Sequence, residues 1–154
     1  MHVIKDTNAI EQRRGTIYPP ALAAGFDKRI KRFMTDALGL TQFGVNMTTI
    51  EPGAQSSHRH WHAKEDECVY MLSGEAWLVT ETGETLLTAG MAAGFPAGEA
   101  IAHHLVNRSQ APATYLEIGT RSPEETVVYA DVDLKMVKSG GPYQMFHKSG
   151  EPYP

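Results

Sequence analysis

The chain has 154 residues, 42% of them hydrophobic and 21% charged, which suits one globular domain with a real core. A formal net charge of −4 and a single cysteine, Cys68, argue against a dedicated nucleic-acid binder, a disulfide framework and a multi-cysteine zinc site. No apolar run approaches the roughly 18–20 residues of a membrane span, and the first residues lack a signal-peptide pattern, so a cytoplasmic protein with no membrane or nucleic-acid partner is expected.

The charge is uneven. Residues 1–50 carry seven Lys/Arg against four Asp/Glu, and the remainder carries seven against fourteen. The positive excess comes largely from Lys28, Arg29, Lys31 and Arg32, which reads as a solvated face around Ile30, Phe33 and Met34, with an anionic substrate or partner as the alternative. Ile30, Phe33, Met34 and Leu38 have helical spacing, yet 28–34 also alternates, so either an added strand or a short helix is expected here.

From residue 43 to 130 the chain consists of short strand-like runs at 43–50, 67–72, 75–80, 84–88, 101–106, 113–119 and 126–130. Turn residues separate them, including Pro52-Gly53, Ser73-Gly74, Thr82-Gly83, Ala89-Gly90 and Pro96-Ala97-Gly98. Such spacing predicts an all-β sandwich or barrel. Gly53, Gly74, Gly90 and Gly98 suit turns that need positive φ, and Asn107 suits a strand-end turn. After Ala130 the periodicity fades, and the tail is expected to lie across the surface. The division is an N-terminal extension over 1–42, a barrel over 43–130 and a C-terminal tail over 131–154.

Five of the seven histidines fall in two groups, His58, His60 and His62, then His103 and His104. If 58–62 is extended, its three histidines share one face, with Arg59 and Trp61 on the other. Alpha carbons two apart on a strand lie about 6.6–7 Å apart, so two imidazoles there can share a metal ion. Glu65, Asp66 and Glu67 follow, and a turn would return one carboxylate beside them. Two imidazoles and a carboxylate make up many divalent transition-metal sites. His103 and His104 face opposite sides of a strand, so only one points inward.

Two stretches, 53-GAQSSHRHWHAKEDECVYMLSG-74 and 90-GMAAGFPAGEAIAHHLVN-107, resemble the two conserved motifs of the cupin superfamily, in the right order and separation. The resemblance covers about residues 43–120 and is closest to the small single-domain cupins. Counted back from Gly74, the first motif selects Glu67 with His60 and His62 over the His58–His60 pair. The second, counted back from Asn107, selects His103 over His104. Two gaps are longer than the family pattern, Gly53 to His60 by one residue and Gly98 to His103 by two.

The resemblance implies a double-stranded β-helix, or jelly-roll, barrel, with one divalent metal (Zn, Fe, Mn or Ni) on His60, His62, Glu67 and His103. It also implies a homodimer, which the N-terminal extension, Trp61 and Arg59 would suit. Cys68 is expected in the core. The interior is expected to be mostly apolar, since 67–72, 75–80 and 101–106 supply aliphatic and aromatic positions. The leading functional expectation is a metal-dependent isomerase, epimerase or lyase acting on a small oxygen-rich molecule, a sugar phosphate or a hydroxy or keto acid, with His58 and His104 as acid/base groups. The alternatives are an Fe(II) dioxygenase and a non-catalytic small-ligand sensor or binding protein.

Overall fold

The computed structural model describes all 154 residues. In chain order, the strands are β1 (Gln12–Arg14), β2 (Arg29–Arg32), β3 (Phe43–Ile50), β4 (His60–His62), β5 (Glu67–Ser73), β6 (Glu75–Val79), β7 (Glu84–Thr88), β8 (Ala92–Phe95), β9 (His104–Val106), β10 (Ala113–Thr120), β11 (Glu124–Tyr129), β12 (Lys135–Ser139) and β13 (Gln144–Phe146). One short helix, α1 (Met34–Leu38), follows β2, so the ambiguous segment supplies both a strand and a helix. The expected strands at 43–50 and 84–88 occupy those residues, whereas the one expected at 101–106 shortens to three residues.

The strands form antiparallel sheets in the orders β1-β2-β3-β10-β5-β8, β13-β12-β11-β4 and β7-β6-β9. This is the all-β jelly-roll architecture. Its central ladder pairs β10 with β3 from Ala113↔Ile50 to Thr120↔Phe43, and with β5 on the other side. The period of two then sends Ala113, Tyr115 and Glu117 inward while Leu116 and Ile118 face out.

Between β5 and β6 the chain passes from one sheet to another across the single residue Gly74. Its φ is +73°, and a Cβ there would lie 2.4 Å from the Pro112 carbonyl oxygen, so no other residue fits. Asn107 is fully buried and closes the turn after β9, donating to the carbonyls of Ile50 and Ala111 and accepting from Ser109.

Two apolar clusters hold the barrel. One gathers Ile50, Val69, Met71, Leu87, Leu105 and Tyr115; the other joins Tyr18 and Phe26 of the N-terminal segment to Val127, Tyr129, Leu134 and Met136. Each large side chain so buried contributes about 1.5–3 kcal/mol. The second cluster corrects the expectation for the tail. Residues 135–146 add β12 and β13 to the sheet of β11, because Leu134 and Met136 are apolar enough to close over Phe26 and Tyr129. Cys68 is not in the core either. It follows inward Glu67, so the pleat turns it to the outer sheet face with exposed Tyr70 and Leu72, and it is partly accessible.

Candidate metal centre

Strand β4 is three residues long, and alternation presents His60 and His62 on one face with Trp61 on the other. Its edges are fixed on both sides. Tyr129, Val128 and Val127 of β11 pair with its three residues, while His60 and His103 exchange both backbone hydrogen bonds, at 3.2 and 3.0 Å. That bridge sets the two histidine groups side by side, ring centroids 5.1 Å apart. Glu67 opens β5 and enters from the neighbouring sheet.

These side chains converge on one carboxylate oxygen. Oε2 of Glu67 lies 3.2 Å from His103 Nε2, 3.5 Å from His62 Nε2 and 3.8 Å from His60 Nε2. A metal bound at about 2.0–2.2 Å by nitrogen and oxygen donors requires ligand-to-ligand separations of this order. Ligand atoms of His60, His62 and Glu67 all lie within 4.8 Å of one another, and His103 joins the set through Glu67.

The other ring nitrogens support this orientation. His60 Nδ1 lies 3.0 Å from the His58 carbonyl and 3.2 Å from Ser57 Oγ, and His103 Nδ1 lies 3.3 Å from the Ile101 carbonyl. A carbonyl can only accept, so each Nδ1 carries a proton, and each Nε2, turned toward Glu67, is the atom left to bind a cation once any proton on it is displaced. Phe95 stacks on His103 and Tyr129 on His60, holding both rings.

The protonation states suit a cation. Burial pushes His60 down to about 3, so it is neutral. Burial alone would raise the Glu67 carboxyl, but hydrogen bonds from His103 and His62 outweigh it and hold the group well below the usual carboxylate range. Burial lowers His62, but the Glu67 carboxylate outweighs it and raises the group, so a cation displaces a proton there, since neutral imidazole and ionised carboxylate are the forms that ligate metals. The residues therefore fit a divalent ion.

The two proposed acid/base histidines are not brought to this cluster. Regular strand structure begins only at His60, so alternation does not carry back to His58. The His58 ring packs against Tyr18 and Phe26, with Nε2 2.9 Å from the Leu22 carbonyl. His104 borders the cavity, but its Nδ1 is 2.9 Å from the Ser57 carbonyl, and it forms no hydrogen bond with Glu67. Arg59 makes a two-point ion pair with Asp131 on the outside, at 2.8 and 2.5 Å.

A cavity of about 350 Å³ opens beside the cluster, and its walls are not the apolar ones expected. Four cationic side chains, Arg29, Lys31, Arg121 and Lys138, line it with four carboxylates, Glu65, Asp66, Glu67 and Glu117. The apolar runs 67–72, 75–80 and 101–106 on β5, β6 and the approach to β9 supply only part of the lining. The opposite wall comes from β2, β3 and β10. There Arg29 and Lys31 turn inward, correcting the reading of 28–32 as a solvated face. Lys31 Nζ lies 2.5 Å from Glu117 Oε2, and the Tyr115 hydroxyl donates to Glu117 Oε1 at 3.3 Å. Glu65 is held by Lys138, Tyr143 and the Ser122 amide. Glu125, almost fully buried, accepts from the amides of Ala63, Lys64 and Thr126 and so pins the chain leaving β4. Nothing in the sequence marks Glu125 for this work.

A family model described as a cupin domain matches residues 46–119. A sugar phosphate isomerase of the cupin superfamily from Silicibacter pomeroyi is 43% identical, with a TM-score of 0.91 over 97% of this chain and 95% of that one. The chain belongs to the cupin superfamily. A second cupin-like structure, from Acidithiobacillus ferrooxidans and provisionally ascribed the same activity, is 27% identical, with a TM-score of 0.75 over 91% of this chain and 87% of that one. The polyketide cyclase RemF from Streptomyces resistomycificus shares the fold at 20% identity, with a TM-score of 0.65 over 86% and 87% of the two chains. No curated protein matches the sequence. No helix of this cupin is long and apolar enough to cross a membrane.

Proposed function

We propose that this cupin is a metal-dependent isomerase of a small hydroxy-carbonyl metabolite, with His60, His62, Glu67 and His103 as ligands. The observation that carries it is the convergence of three Nε2 atoms on one Glu67 oxygen, beside a cavity walled by ionisable groups. Identity of 43% over nearly the whole chain to a protein described as a sugar phosphate isomerase supports the same class.

When bound, the divalent ion supplies a Lewis acid that polarises the substrate's carbonyl and hydroxyl oxygens. The proton work falls to Glu117. On antiparallel strands, diagonal neighbours such as Glu67 and Glu117 lie roughly 7–8 Å apart on one face, leaving room for a small substrate between them. Glu117 takes the proton from the hydroxyl-bearing carbon next to the carbonyl. The electron pair left behind forms a carbon–carbon double bond, and the carbonyl π pair moves to its oxygen to give an enediolate. The hydroxyl proton passes to that oxygen. The Glu117 carboxyl then returns its proton to the former carbonyl carbon as the other oxygen becomes the carbonyl, so no oxidant is consumed. Lys31 and Tyr115 position the Glu117 carboxylate from its two oxygens.

The test is turnover of small aldose and ketose phosphates and hydroxy-keto acids by metal-loaded protein in deuterated water without oxygen. Interconversion with solvent deuterium at the exchanged carbon is the expected result. Stoichiometric oxygen consumption would establish the dioxygenase reading, and saturable binding without turnover under any metal the sensor reading. A homodimer is proposed through the outer sheet face that carries Phe43, Tyr70 and Leu72, each about 40% exposed, where about 1,000 Å² or more must be covered. Light scattering should report about twice the 16.9 kDa of one chain.

A further inference from the structure

Among the four cations of the cavity, Lys31 and Lys138 have carboxylate partners, in Glu117 and Glu65. Arg29 has none. Its guanidinium is half-buried and tied to two backbone carbonyls, Gly15 through Nε at 3.2 Å and Ser56 through Nη1 at 2.7 Å. Those bonds fix its direction without neutralising its charge.

Aromatic rings adjoin this charge. Arg29 lies 6.0 Å from the Phe26 ring, against which Tyr18 packs at 5.2 Å, and buried Tyr18, Tyr115 and Tyr129 line the cavity with it. The Tyr18 and Tyr129 rings meet edge to face at 5.5 Å. The Tyr115 hydroxyl donates to Glu117 and the Tyr129 hydroxyl to Met136 Sδ, at 3.1 Å, which leaves the Tyr18 hydroxyl, kept protonated by burial, as the donor for a ligand. A fixed guanidinium with a neighbouring O–H donor is the set that recognises an oxyanion.

The position relative to the metal centre is equally defined. The Tyr129 ring stacks on His60 at 5.5 Å, so one aromatic ring separates this donor group from a metal ligand. Charge favours a dianion there. Lys31 and Lys138 are paired with carboxylates, but Arg29 and Arg121 line the cavity with no carboxylate partner. A phosphate monoester dianion matches these two charges more fully than a single carboxylate.

We infer that Arg29, with the hydroxyl of Tyr18, forms a phosphate subsite that holds the far end of a small phosphorylated polyol whose oxygens face the metal centre. This deepens, and rests on, the isomerase reading of the same cavity. Thr16–Tyr18 would then help select the substrate, since that segment forms part of the wall.

The experiment is calorimetric titration of the metal-loaded protein with glycerol 3-phosphate, inorganic phosphate, glycerate and glycerol. The wild type, Tyr18→Phe and Arg29→Gln are compared, with metal content and melting temperature measured for each. Tyr18→Phe removes only a hydroxyl and guards against a folding defect in Arg29→Gln. The expected result is at least a tenfold weaker affinity for glycerol 3-phosphate in Tyr18→Phe and a larger loss in Arg29→Gln. Metal content and glycerate affinity should stay unchanged. Unchanged phosphate affinity in a folded Tyr18→Phe would overturn the subsite, as would an equal loss for glycerate, which would make it a carboxylate site. Retained phosphate selectivity in a protein that never exchanges substrate hydrogen would reject the isomerase reading and leave the subsite standing.

Discussion

The two walls of the cavity reach their positions by different routes. The metal wall comes from β4, β5 and the approach to β9, where short-range alternation and one backbone bridge, His60 to His103, place every ligand. The facing wall comes from β2, β3, β10 and the N-terminal segment, and its Lys31–Glu117 pair joins residues 86 positions apart in the sequence. A wall built from local spacing can be read from local spacing. A wall built from pairing between distant strands cannot, because strand order decides which residues meet.

If the walls divide the labour as proposed, substitutions should separate metal binding from turnover. Glu117→Gln should lower isomerase turnover by about 10²–10⁴-fold, the usual contribution of a positioned proton-transfer group, with metal content unchanged. Loss of metal in that variant would erase the distinction. On the other wall, His62→Ala should weaken metal affinity by about 100-fold or more, since even outer partners of metal ligands contribute 10–100-fold. Elemental analysis after dialysis should find His103→Ala depleted and His104→Ala loaded, and the reverse would reassign the fourth ligand.

Much of the first wall was legible. The run of histidines and the returning carboxylate singled out the cluster, and the cupin spacing chose among His58, His60, His62, His103 and His104 in the way the geometry gathers them. His58 was misread because parity holds only inside a regular strand, and β4 starts two residues later. Lys31 and Glu117 were missed for a different reason. Alternation tells which residues share a face, but in 29–32 both faces carry charge, so the sequence does not say which one turns inward. The added strands β12 and β13 escaped notice because each is short and their apolar residues are matched by partners on β11 and in the N-terminal segment.

Smaller effects sharpen the same contrast. Ser57→Ala removes one of two groups holding His60 Nδ1, so metal affinity should fall about tenfold, at the low end for such partners. Arg59→Ala breaks an ion pair on the outside of the metal wall and should cost at most about 1 kcal/mol in urea unfolding, with metal affinity intact.

The threading of the N-terminal segment across the cavity has a practical consequence. Gly15 accepts from Arg29, Thr16–Tyr18 face the cavity, and the apolar cluster that seats Tyr18 also contains residues of the C-terminal strands. Scaffold closure and ligand choice therefore meet in one stretch of chain. A grafted leading segment exchanges the selectivity surface while the ion-holding frame stays in place only where it keeps aromatic side chains at positions 18 and 26 to close the cluster with the C-terminal strands.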